Sequence, residues 1–516
     1  MKKNKTIINI FTILLLFITS IIISASIYIK LNFANQNADE MVYYLFNGLN
    51  GTSTDVIVHA IALSLVPFLF LFLFLLIPFI RLQKRKYMID VKIKNKKYCF
   101  TILPNKFLYK YRIIYSSTVL LVSLVLSYNM LGLHEYIKRI TNYSSIIDDN
   151  YVNPADVSIT FPNEKRNLII LYLESTENTF IDKENGGGWG YSVIPELASI
   201  AKENINFSNS DKIGGALFAP GTQWTVAGLV STTSGIPLKI PIDGNEYTSS
   251  NNFLVGAYTL GDLLHKEGYN LEAMFGSDAT FGGRSNYYLR HGNYKIFDVN
   301  TAINEGKMSE DEKVWWGFDD THLFDWAKEE ITNLANSDKP FSFSFLTANT
   351  HFTDGYMESA AENLYKSQYE NVFAYSSKQV NDFVEWLKQQ DFYENTTLVI
   401  MGDHHSMQDP KYFESHMYKG YERTIYNAII NSAIEPINSK NRLFSSMDMY
   451  PTILASIDVK IEGDRLGIGT NLFSNRKTLA EEQGILNLND ELAKNSKFYN
   501  DKILKDDYLD LIKAKK

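Results

Sequence analysis

The chain of 516 residues contains a single cysteine, Cys99. One thiol allows no intramolecular disulfide and no multi-cysteine zinc site. Any metal must therefore rely on oxygen and imidazole ligands. A basic excess is also missing. The net charge is −8, which argues against a nucleic-acid partner, since such proteins present clustered positive surface. The glycine-rich stretch Gly186–Gly190 contains Trp189 and lacks the Lys-Ser/Thr of a phosphate loop, so it reads as an ordinary loop. No internal repeat is visible.

Long apolar runs are plentiful at the N-terminal end. Ile7–Ile29, Val56–Ile80 and Ile113–Leu133 are each long enough to cross a hydrocarbon layer about 30 Å thick. The first run is too long for a typical signal-peptide h-region, and Ser24–Ser26 makes a weak cleavage site, so it reads as a retained anchor. Eleven Lys/Arg stand against one acidic residue, Asp90, between Arg81 and Arg112, and Lys2, Lys3 and Lys5 precede the first run. Positive-inside logic puts the N-terminus and the 81–112 loop, with Cys99, in the cytoplasm. Three spans then place everything after Leu133 in the periplasm or on the outer side of the inner (cytoplasmic) membrane. His59, within the second run, reads as a packed or interfacial histidine.

Residues 1–133 thus read as a transmembrane domain and 134–165, with Pro154 and Pro162, as a juxtamembrane linker. From about Arg166 short apolar runs alternate with helical stretches, the pattern of a parallel sheet with crossover helices. The expected class is α/β, with strands at Leu168–Leu173, Leu271–Phe275, Phe341–Leu346 and Thr397–Met401 and a helix at Val372–Gln390. The region extends to about residue 475, and 476–516 form a charged tail.

Chemistry-bearing residues follow these strands. Leu168–Leu173 runs into Glu174, and a carboxylate at the carboxyl end of a buried parallel strand lies where open α/β sheets place ligands. Thr397–Met401 runs into Asp403, His404 and His405. Phe341–Leu346 is followed, through a turn, by His351. Pro220-Gly221 leads into Thr222, with a helix expected over Gln223–Thr233. A threonine there is either an N-cap or a group at a helix N-terminus that attracts phosphate. Thr225 lies one turn on. Glu174, Thr222, Asp403 and His404 together make a candidate metal site, with Thr222 as ligand and nucleophile.

The stretches LYLES, GTQWTVAGLVSTTSGIPL, FGGRSNYYLRHG, NTHF, GDHHSM and GDRLGIGTNLFS resemble, in this order, the sulfatase-like branch of the alkaline phosphatase superfamily. That branch includes lipoteichoic acid synthases, phosphoethanolamine transferases and membrane phosphoglycerol transferases, and the match is nearest to the phosphoglycerol transferases of periplasmic glucans. The resemblance implies an alkaline-phosphatase-like α/β/α domain. It implies a divalent ion on Glu174, Thr222, Asp403 and His404, usually manganese, with zinc or magnesium as alternatives. It places Arg284 and His351 near the phosphoryl group and the glycerol, with Trp224, Thr225 and His405 as further substrate contacts. The implied reaction moves glycerol phosphate from phosphatidylglycerol to a glycan acceptor through a phosphothreonine. Phe275–Asp278 lacks the histidine found shortly before the arginine in lipoteichoic acid synthases, which argues against polymerisation. Phosphoethanolamine transfer to lipid A or another glycan is the alternative, although those enzymes carry disulfides that this chain cannot form. Ester hydrolysis ranks last, since sulfatases convert a Cys or Ser and not a threonine.

Overall fold

The computed structural model of the protein describes residues 2–32, 42–43, 54–79, 87–93, 96–103, 109–240, 247 and 249–505. It divides into two compact units. One comprises Met1–Ala38 with Thr54–Ile137, the other Asp39–Ser53 with Lys138–Lys516.

In the first unit the three apolar runs form helices Lys2–Asn32, Thr54–Leu76 and Arg112–Met130. Among the described residues two stretches, Thr6–Leu31 and Arg112–Met130, are long and apolar enough to cross a membrane, and Ala60–Leu76 is shorter. The expected Val56–Ile80 run leaves α-helical geometry at Leu76, where a 3-10 turn Ile77–Phe79 takes over at Pro78. Hydroxyls of Thr12, Thr19, Ser20 and Ser26 donate to carbonyls four residues earlier at 2.8–2.9 Å, so the first helix satisfies these four polar side chains itself. The basic loop contains an antiparallel hairpin, Tyr87–Ile93 with Lys96–Leu103, in which Cys99 lies opposite Asp90. The side chain of His59 lies outside the described residues.

The second unit is built on a six-stranded sheet. Its strands are β1 (Asn167–Leu173), β2 (Asn270–Phe275), β3 (Lys295–Phe297), β4 (Phe341–Leu346), β5 (Thr396–Gly402) and β6 (Asn427–Ile430). Their order is β3-β2-β4-β1-β5-β6, parallel except for β6. The four expected strands recur within one residue at each end; β3 and β6 are additions. Every residue of β1 is buried. Leu168, Ile170 and Tyr172 face one core, and Ile169, Leu171 and Leu173 face the other, as strand alternation requires. The helix expected over Val372–Gln390 runs Gln368–Lys388 and buries Phe373, Val380, Phe383, Val384 and Leu387.

The polar stretch 134–165 is more than a spacer. Ile146 and Ile147 are buried in the core beside the sheet, and Ile159–Thr160 pairs with Lys460–Ile461. Composition hid this because the residues that pack, Ile146, Ile147, Tyr151, Val152, Val157 and Phe161, stand singly or in pairs among polar ones. The charged tail likewise buries Leu488, Leu492, Tyr499 and Ile503. Tyr43 belongs to this second unit. It is fully buried, its ring lies 5.5 Å from Trp224, and its hydroxyl donates to the Gly282 carbonyl at 2.5 Å.

Candidate active site

Two neighbouring strand ends converge on one cluster. β1 delivers Glu174, and β5 delivers Asp403 and His404; all three are buried, and their ligating atoms lie within 4.8 Å of one another. Asp403 Oδ1 accepts from the backbone N–H groups of Ser175 and His404, each at 2.8 Å. Its Oδ2 is buried with no hydrogen-bond partner. His404 Nδ1 lies 2.8 Å from the His405 carbonyl, which fixes that nitrogen as the donor and leaves Nε2 as the lone-pair side. Nε2 faces Asp403 Oδ2 at 3.3 Å, Glu174 Oε1 at 3.4 Å and Thr225 Oγ1 at 3.4 Å.

Two buried carboxylates and an imidazole lone pair around one point call for positive charge. Burial pushes Asp403 up to about 8, and the neighbouring Glu174 carboxylate pushes the same way. Burial alone would lower His404, but Asp403 and Glu174 outweigh it and hold the ring up at about 10, so with no cation at the cluster Nε2 carries a proton that a divalent ion would displace to reach the lone pair. The orphaned Asp403 Oδ2 and the oxygen-imidazole donor set fit a divalent cation of the manganese, zinc or magnesium kind.

The fourth group is Thr225. Its hydroxyl donates to Glu174 Oε2 at 3.2 Å. The helix here runs Thr225–Ser234, with Trp224 extended at the N-cap and no side chain capping the first turn. Thr225 therefore sits at the first helical position, beside uncapped N–H groups. This helix approaches the β5 end closely: a Cβ on Gly228 would lie 2.2 Å from the Asp403 carbonyl oxygen. Glycine at that position lets Thr225 reach the cluster.

A pocket opens over these groups, lined by Glu174, Thr225, Ser277, Arg284, Trp316 and His351 among others. The Arg284 guanidinium donates from Nη2 to Ser277 Oγ at 2.9 Å and to the Asp278 carbonyl at 2.7 Å, and lies over the Phe275 ring. His351 Nδ1 lies 2.7 Å from the Phe352 carbonyl, and burial lowers its pKa against the pull of Glu174. Buried Asp320 holds the turn before His351, accepting from the N–H groups of Ala348 and Asn349 at 2.8 and 3.1 Å.

Residues 166–459 match the sulfatase family. The chain belongs to the sulfatase family. Curated relatives include proteins named phosphoglycerol transferase I. That of Escherichia fergusonii is 30% identical over 268 residues, and that of Salmonella choleraesuis 28% over 269. Each match covers 50% of this chain and 33% of the relative, so the chain matches about a third of the length of these proteins. Similar solved structures include the lipoteichoic acid synthase LtaP from Listeria monocytogenes, with a TM-score of 0.48 at 19% identity, covering 64% of this chain and 82% of that one. Another is the Streptococcus pyogenes phosphoglycerol transferase GacH in complex with sn-glycerol-1-phosphate, with a TM-score of 0.44 at 18% identity, covering 73% and 94%.

Within this sulfatase-family domain the structure brings Glu174, Thr225, Asp403 and His404 together and sets Arg284 and His351 on the pocket wall. Thr222 is a correction. Its buried hydroxyl donates to the Ala219 carbonyl at 2.8 Å, and it does not line the pocket. The helix starts two residues later than expected because Gln223 folds back, its Oε1 accepting from the Gly221 N–H at 2.8 Å, and Trp224 is extended. Trp224 is a second correction, since its side chain is fully buried against Tyr43. His405 is a third. It lies off the pocket beside Glu177 and Arg423, and burial pushes its pKa down to about 4.

The sequence reading missed the supports. Glu177, buried, binds Arg423 through two contacts of 2.7 and 2.5 Å, and Arg423 Nη2 also donates to the Ser406 carbonyl at 2.7 Å. That clamp fixes the loop carrying His404. Thr347 and Thr350 hydroxyls bond the Glu174 backbone at 3.0 and 2.6 Å. The available signal was local: Thr347 directly follows the buried strand Phe341–Leu346, and Thr350 lies in the turn after it.

Proposed function

We propose that the chain is a membrane-anchored phosphotransferase that moves glycerol phosphate from phosphatidylglycerol to a hydroxyl of a periplasmic or surface glycan, with Thr225 as the nucleophile. The observation that carries this reading is the Thr225 hydroxyl, set between Glu174 and His404 at an uncapped helix start in a pocket shared with Arg284 and His351. The relatives named phosphoglycerol transferase I support glycerol phosphate as the transferred group.

Glu174, Thr225, Asp403 and His404 would hold a divalent cation, for which manganese is our choice. Such an ion, when bound, favours the alkoxide form of a coordinated hydroxyl. Thr225 Oγ forms a bond to the lipid phosphorus, and the bond from phosphorus to the diacylglycerol oxygen breaks. The diacylglycerol takes up a proton and leaves. Arg284 and the first N–H groups of helix Thr225–Ser234 bind the phosphoryl oxygens, where negative charge develops. A glycan hydroxyl then attacks phosphorus, the bond to Thr225 Oγ breaks, and the hydroxyl of Thr225 is restored. His351 lines the same pocket, and burial lowers its pKa and so favours the neutral ring.

The anchor would be three spans within residues 1–133, with the catalytic unit on the outer side; the Lys/Arg bias of the loops supports this orientation. Phosphoethanolamine transfer is the second reading, and the Arg284 cation in the pocket disfavours an ammonium head group. The test is incubation of the full-length chain with labelled phosphatidylglycerol or phosphatidylethanolamine, followed for diacylglycerol. Release from phosphatidylglycerol, with glycerol phosphate found by mass spectrometry on Thr225, is the expected result. Release from phosphatidylethanolamine alone would replace it with the second reading.

A further inference from the structure

The pocket has one wall that the phosphoryl chemistry does not use. Val314 and Gly317 exchange both backbone hydrogen bonds at 2.8 Å, so Trp315 and Trp316 occupy the two central positions of a tight turn. Trp315 has φ 45°, a conformation that bulky residues rarely take. The turn is seated on the end of β2. Phe318 N donates to the Gly276 carbonyl at 2.8 Å, and a Cβ on Gly317 would lie 2.1 Å from that same oxygen. The two indoles are thus mounted on backbone that also forms the pocket floor, since Gly276 and Ser277 line it.

Their rings continue the pocket outward. The Trp316 ring lies 5.2 Å from His351 and 5.2 Å from Phe281. The Trp315 ring lies 5.9 Å from His351 and 6.3 Å from Tyr356, at 25° to the Tyr356 plane. All three aromatic side chains are half-buried. Among the described residues Trp316 Nε1 has no hydrogen-bond partner, although the atom itself is buried. An indole N–H withheld from water ordinarily finds an acceptor.

These features select a ligand class. An acyl chain would leave the Trp316 N–H unpaired. A cationic head group would meet Arg284 on the same pocket. A sugar ring offers a C–H face for an aromatic plane and hydroxyls for an N–H donor. We propose that Trp315, Trp316 and Tyr356 form the acceptor subsite, taking one hexose ring of a glycan with a hydroxyl accepting from Trp316 Nε1. The proposal rests on the transferase reading above. In the transfer step a second hydroxyl of that sugar forms the new bond to phosphorus, the phosphorus–Thr225 bond breaks, and the sugar proton ends on Thr225 Oγ.

The experiment uses the full-length chain with labelled phosphatidylglycerol vesicles and a mixture of α- and β-linked glucose oligosaccharides. Label is followed both onto sugar and into free glycerol phosphate. Trp315→Ala is expected to raise the sugar KM at least about tenfold and to lower the ratio of sugar product to free glycerol phosphate, with Trp315→Phe recovering part of it. Trp316→Phe keeps a ring and removes the N–H, and is expected to raise the sugar KM as well. The proposal is overturned if Trp315→Ala and Trp316→Phe both match the wild type in sugar KM and in product ratio. It is equally overturned if diacylglycerol release falls in parallel with sugar transfer, or if wild-type label reaches only free glycerol phosphate. Absence of diacylglycerol release from the wild type would instead remove the transferase reading itself.

Discussion

Thr225 Oγ1 lies 3.2 Å from Glu174 Oε2, whereas the Thr222 hydroxyl, three residues earlier, is bonded to the Ala219 carbonyl. The two threonines therefore have different fates on substitution. Thr225→Ala should lower lipid turnover by at least about 1,000-fold, as loss of a nucleophile does. Thr222→Ala should cost about 1 kcal/mol of stability through one lost hydrogen bond and retain turnover. Rates from labelled phosphatidylglycerol decide between them, and a silent Thr225→Ala would remove that residue from the chemistry.

Chelation should act on the fold as well as on the rate. Glu174 and Asp403 are buried side by side, and without positive charge they repel each other. EDTA treatment should lower the Tm of the full-length chain and abolish turnover, and manganese should restore both. In Asp403→Ala elemental analysis should find at least about tenfold less bound metal, by loss of a ligand. Full occupancy in that variant would exclude the residue from the site.

Asp320 provides a pH test away from the metal cluster. Burial raises its pKa from 3.8 to about 8, against the two backbone N–H groups that favour the charged form. The folded state thus holds a proton that the unfolded chain releases, so the contribution to stability is fully present below pH 4 and lost as pH rises towards 8. Tm of the wild type should decline over that window by more than that of Asp320→Asn. Parallel curves would show that Asp320 does not carry the proton.

Topology is checked by protease added to intact spheroplasts. Residues from about 150 onward should be digested, and the hairpin Tyr87–Leu103 should be protected. Protection of the catalytic unit would reverse the orientation.

The sheet was legible because β1, β2, β4 and β5 are short apolar runs that end in polar residues, a pattern that survives without any tertiary information. β3 and β6 were not, since Lys295–Phe297 is three residues long and Asn427–Ile430 carries no flanking chemistry. Glu174, Asp403 and His404 were legible from their place after strands. The choice between Thr222 and Thr225 was not, because it depends on where the helix begins. That start is set by the Gln223 side chain and the extended Trp224, neither of which follows from periodicity. The packing of residues 146–160 was invisible for a related reason, as polar composition outweighed apolar residues standing singly or in pairs.

Tyr43 precedes the second apolar helix, yet it is buried against Trp224 and donates to the Gly282 carbonyl, two residues from Arg284. A fragment cut at Lys138 would lose more than its anchor. It would open the back of the Trp224 indole, which adjoins Thr225, and leave a carbonyl of the arginine loop to water. Rates measured on such a fragment would describe a pocket whose backing, behind Thr225 and the arginine loop, had lost a packed ring, and adding lipid would not restore it.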